Sequence, residues 1–161
     1  LCLQWLDQQP LGGKTVIDQT GAWLGSPIPG SGLQLKSIVQ TVAEEEGFFF
    51  NSKWVHFDRL TTSVELESTG KLEISFVGQM SSPNGFETRI TIRRSPENTV
   101  LGPFGNISGA QPSPVSQGAA VYNQAIVDLE SGTYRVFIEH RSNTTVEGTL
   151  HSGSLILKTY D

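Results

Sequence analysis

Ser63-Val64-Glu65-Leu66-Glu67-Ser68-Thr69-Gly70-Lys71-Leu72-Glu73-Ile74-Ser75-Phe76 places apolar residues at alternate positions on either side of Ser68-Thr69-Gly70. Successive strand side chains point to opposite faces, so this spacing predicts two strands, each with one buried face, separated by a turn. The pattern continues along the chain. Ile90 and Ile92 alternate with Arg89, Thr91 and Arg93, Tyr134, Val136 and Ile138 alternate with Arg135, Phe137 and Glu139, and Leu155 and Leu157 repeat the spacing near the end. Turn residues divide these runs at Ser82-Pro83-Asn84-Gly85, Glu130-Ser131-Gly132 and Ser152-Gly153. Short strands with such turns predict an all-β fold, an antiparallel β-sandwich of the jelly-roll kind.

Leu35, Ile38, Val39, Val42 and Ala43 match both a helical and an extended spacing. The β-branched content of Ile38, Val39, Thr41 and Val42 favours a strand. Residues 102–118 are dense in Gly, Pro and Ser, and read as a long loop. The first 32 residues scatter Gly12, Gly13, Gly21, Gly25, Pro27, Pro29, Gly30 and Gly32 around Trp5 and Trp23, and read as an extended arm or connector. The expected division is therefore an arm over 1–32 and a sandwich over 33–161.

With 161 residues, the chain has the size at which one domain buries roughly 70% of its unfolded surface, so a core needs neither metal nor disulfide. The single cysteine, Cys2, has no internal partner. The net charge is −5 and the eleven basic residues are dispersed apart from Arg93-Arg94, so no nucleic-acid footprint is expected. The longest wholly apolar run, Phe48-Phe49-Phe50, is far too short for a membrane-spanning helix. No basic segment followed by an apolar stretch opens the chain, so no signal peptide is expected, and the start at Leu1 fits a trimmed beginning or a piece of a longer polypeptide.

Phe137, Ile156 and Tyr160 fall where the alternation predicts solvent. Either a neighbouring subunit or a loop of the same chain covers them. In the first case they are assembly residues, together with Trp23 as the anchor of the arm.

Two stretches carry a resemblance. Thr15-Val16-Ile17-Asp18-Gln19-Thr20-Gly21-Ala22-Trp23-Leu24-Gly25-Ser26-Pro27 resembles a connector found ahead of the trimeric heads of phage tail-fibre and bacterial collagen-like proteins. Ile126-Val127-Asp128-Leu129-Glu130-Ser131-Gly132-Thr133-Tyr134-Arg135-Val136-Phe137-Ile138-Glu139-His140-Arg141-Ser142 resembles a hairpin of jelly-roll domains similar in fold to the complement C1q and tumour necrosis factor heads, with Gly153 to Tyr160 as its terminal strand partner. The resemblance implies a homotrimer. It further implies a non-catalytic structural or attachment component of a phage particle or bacterial surface fibre, located on the virion or extracellular surface. Its partners would be copies of itself, other virion or fibre proteins, and a cell-surface glycan. No Gly-x-y repeat follows the connector, which leaves room for a capsid-surface or base-plate role. The alternative is a secreted carbohydrate-binding module.

Candidate chemistry is sparse. His56, His140 and His151 show no metal-ligand spacing, and Glu44-Glu45-Glu46 lacks the close Asp or Asn of a calcium loop, so neither metal nor cofactor is expected. A strand places Glu139 and Arg141 on the face opposite His140, so these three cannot form a catalytic set alone. No catalytic residue is assigned. The polar loops Ser95–Gln117 and Arg141–His151 carry side chains able to hydrogen-bond sugar hydroxyls. Arg141, Asn143, Glu147 and His151, together with Trp5 as a free stacking ring, are therefore the candidate binding residues.

Overall fold

In a computed structural model that describes residues 32–112 and 118–161, alternation becomes two facing antiparallel sheets. The strands are β1 (Leu35–Ala43), β2 (Glu46–Phe50), β3 (Val55–His56), β4 (Thr62–Leu66), β5 (Gly70–Ser81), β6 (Phe86–Ser95), β7 (Thr99–Ala110), β8 (Ala119–Leu129), β9 (Gly132–Arg141) and β10 (Val146–Tyr160). Sheet I runs β1-β10-β5-β8, with β2 also on β10, and sheet II runs β3-β9-β6-β7, with β4 also on β9. The arm over 1–31, with Trp5 and Trp23, lies outside the described residues.

The ambiguous 35–43 segment is a strand, paired with β10 from Leu35↔Tyr160 to Ala43↔Gly153. The core forms between the inner faces. Leu72, Ile74 and Phe76 from β5 and Leu155 and Leu157 from β10 meet Ile90, Ile92, Tyr134, Val136 and Ile138 from the opposite sheet, all buried. Fully burying a large apolar side chain contributes about 1.5–3 kcal/mol, so these alternating residues set the register of both layers.

Most turns cross from one sheet to the other. Ser68-Thr69-Gly70 joins β4 in sheet II to β5 in sheet I, and the Asp161 carboxylate accepts from the Glu67 amide at 3.1 Å to hold it. Glu130-Ser131-Gly132 likewise joins β8 to β9, with the Tyr134 hydroxyl donating to the Glu130 carbonyl at 2.8 Å. The Ile126–Ser142 stretch is thus a crossover and not a hairpin. Its strands belong to different sheets, and Gly153 to Tyr160 pairs with β1 and β5 instead. Alternation tells which face of a strand is buried, and both sheets bury one face, so it cannot assign a strand to a sheet.

Two expected breaks are strands. Residues 102–110 of the expected loop belong to β7, while 113–117 lie outside the described residues. β7 is the edge of sheet II, where the missing N–H of Pro103 is tolerated, and its pairing with β6 slips between Thr88 and Ile90 and again between Ile90 and Ile92. Ser152-Gly153 lies inside β10, at a register shift between Leu150 and Ser152. A Cβ on Gly153 would stand 3.2 Å from the Phe76 ring, so the glycine makes room for the core and does not end the strand.

At Gly105, β7 passes close against β8 at the edge of sheet I. The glycine φ is +73°, and an added Cβ would lie 2.0 Å from the Gln124 carbonyl oxygen of β8. Gly105→Ala therefore combines a left-handed backbone with a backbone clash, and is expected to cost about 2–4 kcal/mol in urea unfolding. A melt superimposable on the parent would show that β7 can move away from β8 without loss.

Candidate functional site

Strand register aligns three rows in the middle of the outer face of sheet I, beyond a border row of Tyr160, Lys71 and Asp128. Ile38, Lys158, Glu73 and Ile126 form the first, Gln40, Ile156, Ser75 and Gln124 the second, and Val42, Ser154, Val77 and Tyr122 the third. Of these three, only the first row contains charge, and its Lys158 and Glu73 stand opposite each other. Ile126 is 65% exposed, Val42 64%, Ile38 59% and Val77 53%, on strands whose other face is core. Ile156 is half-buried among them. Tyr160 lies at the border, its hydroxyl donating to the Glu73 carboxylate at 3.0 Å, and partial burial together with that carboxylate pushes the phenol above its ordinary pKa. A face of this composition is unusual on a protein that has no partner.

Phe137 does not join that surface. It points outward from sheet II as the alternation requires, yet it is only 3% exposed. The guanidinium carbons of Arg93 and Arg135 sit 4.7 and 5.3 Å from its ring centre, and the His56 ring packs at 4.9 Å. Its cover comes from its own chain, which removes Phe137 from the expected assembly residues.

The rest of sheet II's outer face carries ion pairs, with the exposed Val100 opposite Arg93. Glu87 pairs with Arg141 and Arg89 with Glu139 directly across β6 and β9, at 2.9 and 2.7 Å. Both guanidinium groups lie over the Trp54 ring, at 4.5 and 4.2 Å from its centre. Arg141 and Asn143 line one cleft of about 370 Å³ with Asn84, Glu87, Gln111 and Pro112. Glu147 and His151 are not brought to it. Glu147 is exposed on β10 opposite Phe49, and the His151 Nε2 lies 3.0 Å from the Ser81 hydroxyl, with the Glu45 carboxylate 3.9 Å from its Nδ1.

Ser81, His151 and Glu45 have the residue types of a nucleophile, a base and an orienting acid. Ser81 is completely buried, so its hydroxyl cannot be approached, and the set reads as a tie at the β10 register shift. His140 is buried between Phe57 and Phe48, ring centres 4.3 and 4.6 Å away. Burial, with a smaller contribution from His56, lowers its pKa from 6.5 to about 4, so it is neutral near pH 7. Among the described residues no three His, Cys, Asp or Glu side chains converge as a metal site.

Glu87 and Arg89 were missed as site residues by sequence reasoning, and Trp54, a candidate sugar-stacking ring that is expected from sequence to pack, is covered by two guanidinium groups. The available signal was alternation itself, which sets Glu87, Arg89 and Arg93 on one face of β6 and Arg135, Glu139 and Arg141 on the facing edge of β9.

No family model and no curated protein matches the sequence. Solved structures similar to the chain include Eiger TNF from S. frugiperda, at 9% identity and TM-score 0.48, covering 76% of this chain and 93% of that one. The globular domain of zebrafish complement 1qA protein is similar at 14% identity and TM-score 0.46, covering 76% and 95%. The tripod from the baseplate of bacteriophage Tuc2009 is similar at 13% identity and TM-score 0.48, covering 86% and 75%. Heads of the tumour necrosis factor and complement C1q kind, named by the sequence resemblance, are thus among the solved structures similar to this two-sheet jelly roll.

Proposed function

We propose that the chain is a non-catalytic structural or attachment component of a phage particle or bacterial surface fibre, and that it assembles as a homotrimer through the outer face of sheet I. The observation that carries this reading is the set of exposed Ile38, Val42, Val77, Tyr122 and Ile126 on β1, β5 and β8 of one sheet face. Removing such a face from water contributes roughly 25 cal/mol per Å² of apolar area, which favours contact between copies. The three-fold count comes from the sequence resemblance. Other virion or fibre proteins are the expected neighbours, and the virion or extracellular surface the expected location.

Light scattering on the full chain at roughly tens of micromolar tests this directly, because association depends on protomer concentration. Three times the chain mass is expected, and Val77→Lys combined with Ile126→Lys is expected to give a folded monomer. A monomeric parent chain would overturn the proposal. If Val77 and Ile126 were protected in that monomer and exposed after removal of residues 1–31, the arm would be the cover of this face.

A second reading, a secreted carbohydrate-binding module, is favoured by the cleft that unites Arg141 and Asn143 beside Glu87. Oligomeric state separates the two readings, since the module would act as a monomer.

A further inference from the structure

Six arginines lie in the described residues, and four of them have carboxylate partners. Arg59 pairs with Glu46, Arg89 with Glu139, Arg94 with Glu130 and Arg141 with Glu87. The remaining two, Arg93 and Arg135, stand directly opposite each other on β6 and β9, and among the described residues no carboxylate lies within 4 Å of either. Like charges at such a position oppose strand pairing. Both guanidinium groups are nevertheless gathered over one ring, that of the buried Phe137, at 4.7 and 5.3 Å from its centre. The ring serves as a floor that limits where the two forks can go, while Arg135 remains exposed and Arg93 half-buried.

Two guanidinium forks at directly opposed strand positions, both beside one ring and with no carboxylate within 4 Å among the described residues, offer the planar donor sets that oxyanions accept. The surroundings narrow the oxyanion's source. Ser63 lies beside Arg135 in the register and the exposed Val100 beside Arg93, and Glu65, Thr133 and Ser95 form the next row along the same face, the Glu65 carboxylate more than 4 Å from either guanidinium. Hydroxyl groups around a two-arginine centre suit a ligand that itself bears hydroxyls. A nucleic-acid backbone calls instead for a longer basic stripe, and the chain as a whole carries a net charge of −5.

We propose that Arg93 and Arg135, above Phe137, form a binding site for the carboxylate or sulfate group of an acidic saccharide. The site is on sheet II, on the opposite side of the sandwich from the apolar face of sheet I, so a monomer carries it as fully as a trimer does. Its failure would leave the assembly proposal untouched, and a failure of assembly would leave this site intact.

Titration calorimetry of the full chain tests the site, with an oligogalacturonide, its methyl-esterified form, a heparin oligosaccharide and inorganic sulfate as probes. At least one acidic oligosaccharide is expected to bind and the methyl ester not to. Arg93→Gln and Arg135→Gln should each weaken binding by about tenfold or more, Arg135→Lys by less, and Arg59→Gln not at all. Coincident thermal melts would show that these surface variants stay folded. The proposal is overturned if neither acidic oligosaccharide binds, if Arg59→Gln weakens binding as much as Arg93→Gln, or if inorganic sulfate binds as tightly as the oligosaccharides. Tighter binding of a single-stranded oligonucleotide through the same two arginines would overturn it as well.

Discussion

On acidification from pH 7 to pH 4 the folded domain is expected to lose about 3 kcal/mol of stability through His140 alone. The side chain sits between Phe48 and Phe57, and its pKa is lowered from 6.5 to about 4, chiefly by burial and secondarily by His56. In the unfolded chain the imidazole takes up its proton near pH 6.5, whereas in the folded chain it resists protonation until about pH 4. The unfolded state therefore binds more protons throughout this window, and stability rises with pH across it. The contribution is complete above pH 6.5 and is lost as pH falls toward 4. Other groups act nearby, since His56 faces Asp58 at 3.0 Å and the Arg89–Glu139 and Arg141–Glu87 pairs lie on the same strands. The diagnostic is consequently a difference. Urea unfolding of the parent and of His140→Phe between pH 7 and 4.5 should give a steep slope in the parent and a much shallower one in the variant. Equal slopes would show that the acid sensitivity lies in the carboxylates.

Sequence periodicity disclosed the buried faces because burial is decided strand by strand. Leu72, Ile74, Phe76, Ile90 and Ile92 could be placed in the core from spacing alone, and they are there. It also gave the competing covers for Phe137, of which the structure selects the intramolecular one. Three features depended on partners distant in sequence. The allocation of β8 and β9 to different sheets is set by which edges meet, a property of the whole fold. β7 looked like a loop because its glycines and Pro103 would weaken a central strand, yet an edge strand tolerates them. The outer face of sheet I becomes a continuous surface only when Val42, Val77 and Tyr122 are aligned across strands far apart in the chain. Of the candidate binding residues, Arg141 and Asn143 share a cleft because they are neighbours in sequence, whereas Glu147 and His151 are carried away along β10.

Asn123→Leu is expected to destabilise the domain by about 4 kcal/mol and, on the proposed assembly, to release the copies before the chain unfolds. Asn123 lies on the inner side of β8, fully buried among apolar neighbours. Its amide nitrogen donates to the carbonyls of Thr88 and Asn106, each at 3.0 Å, and its carbonyl accepts the Thr88 hydroxyl at 2.6 Å. One side chain thus ties β6 and β7 of sheet II to β8 of sheet I. Asn106 returns the connection, donating to the Tyr122 carbonyl at 2.7 Å and accepting from the Gln124 amide at 2.9 Å. Leucine has similar bulk but leaves the Thr88 hydroxyl and two carbonyls without their partner in the interior, and each such group costs about 1–3 kcal/mol. The consequence reaches the surface because the residues beside Asn123 on the same strand point the other way. Tyr122 and Ile126 are part of the exposed face of sheet I, on a strand that β5 holds along one edge and the Asn123 and Asn106 hydrogen bonds fasten to β7 along the other. Urea melts read beside light scattering should show both losses, with dissociation at the lower denaturant concentration. A variant that melts with the parent would mean the three hydrogen bonds are replaced at no cost, and one that unfolds early but stays associated until it does would detach the seam from the assembly face.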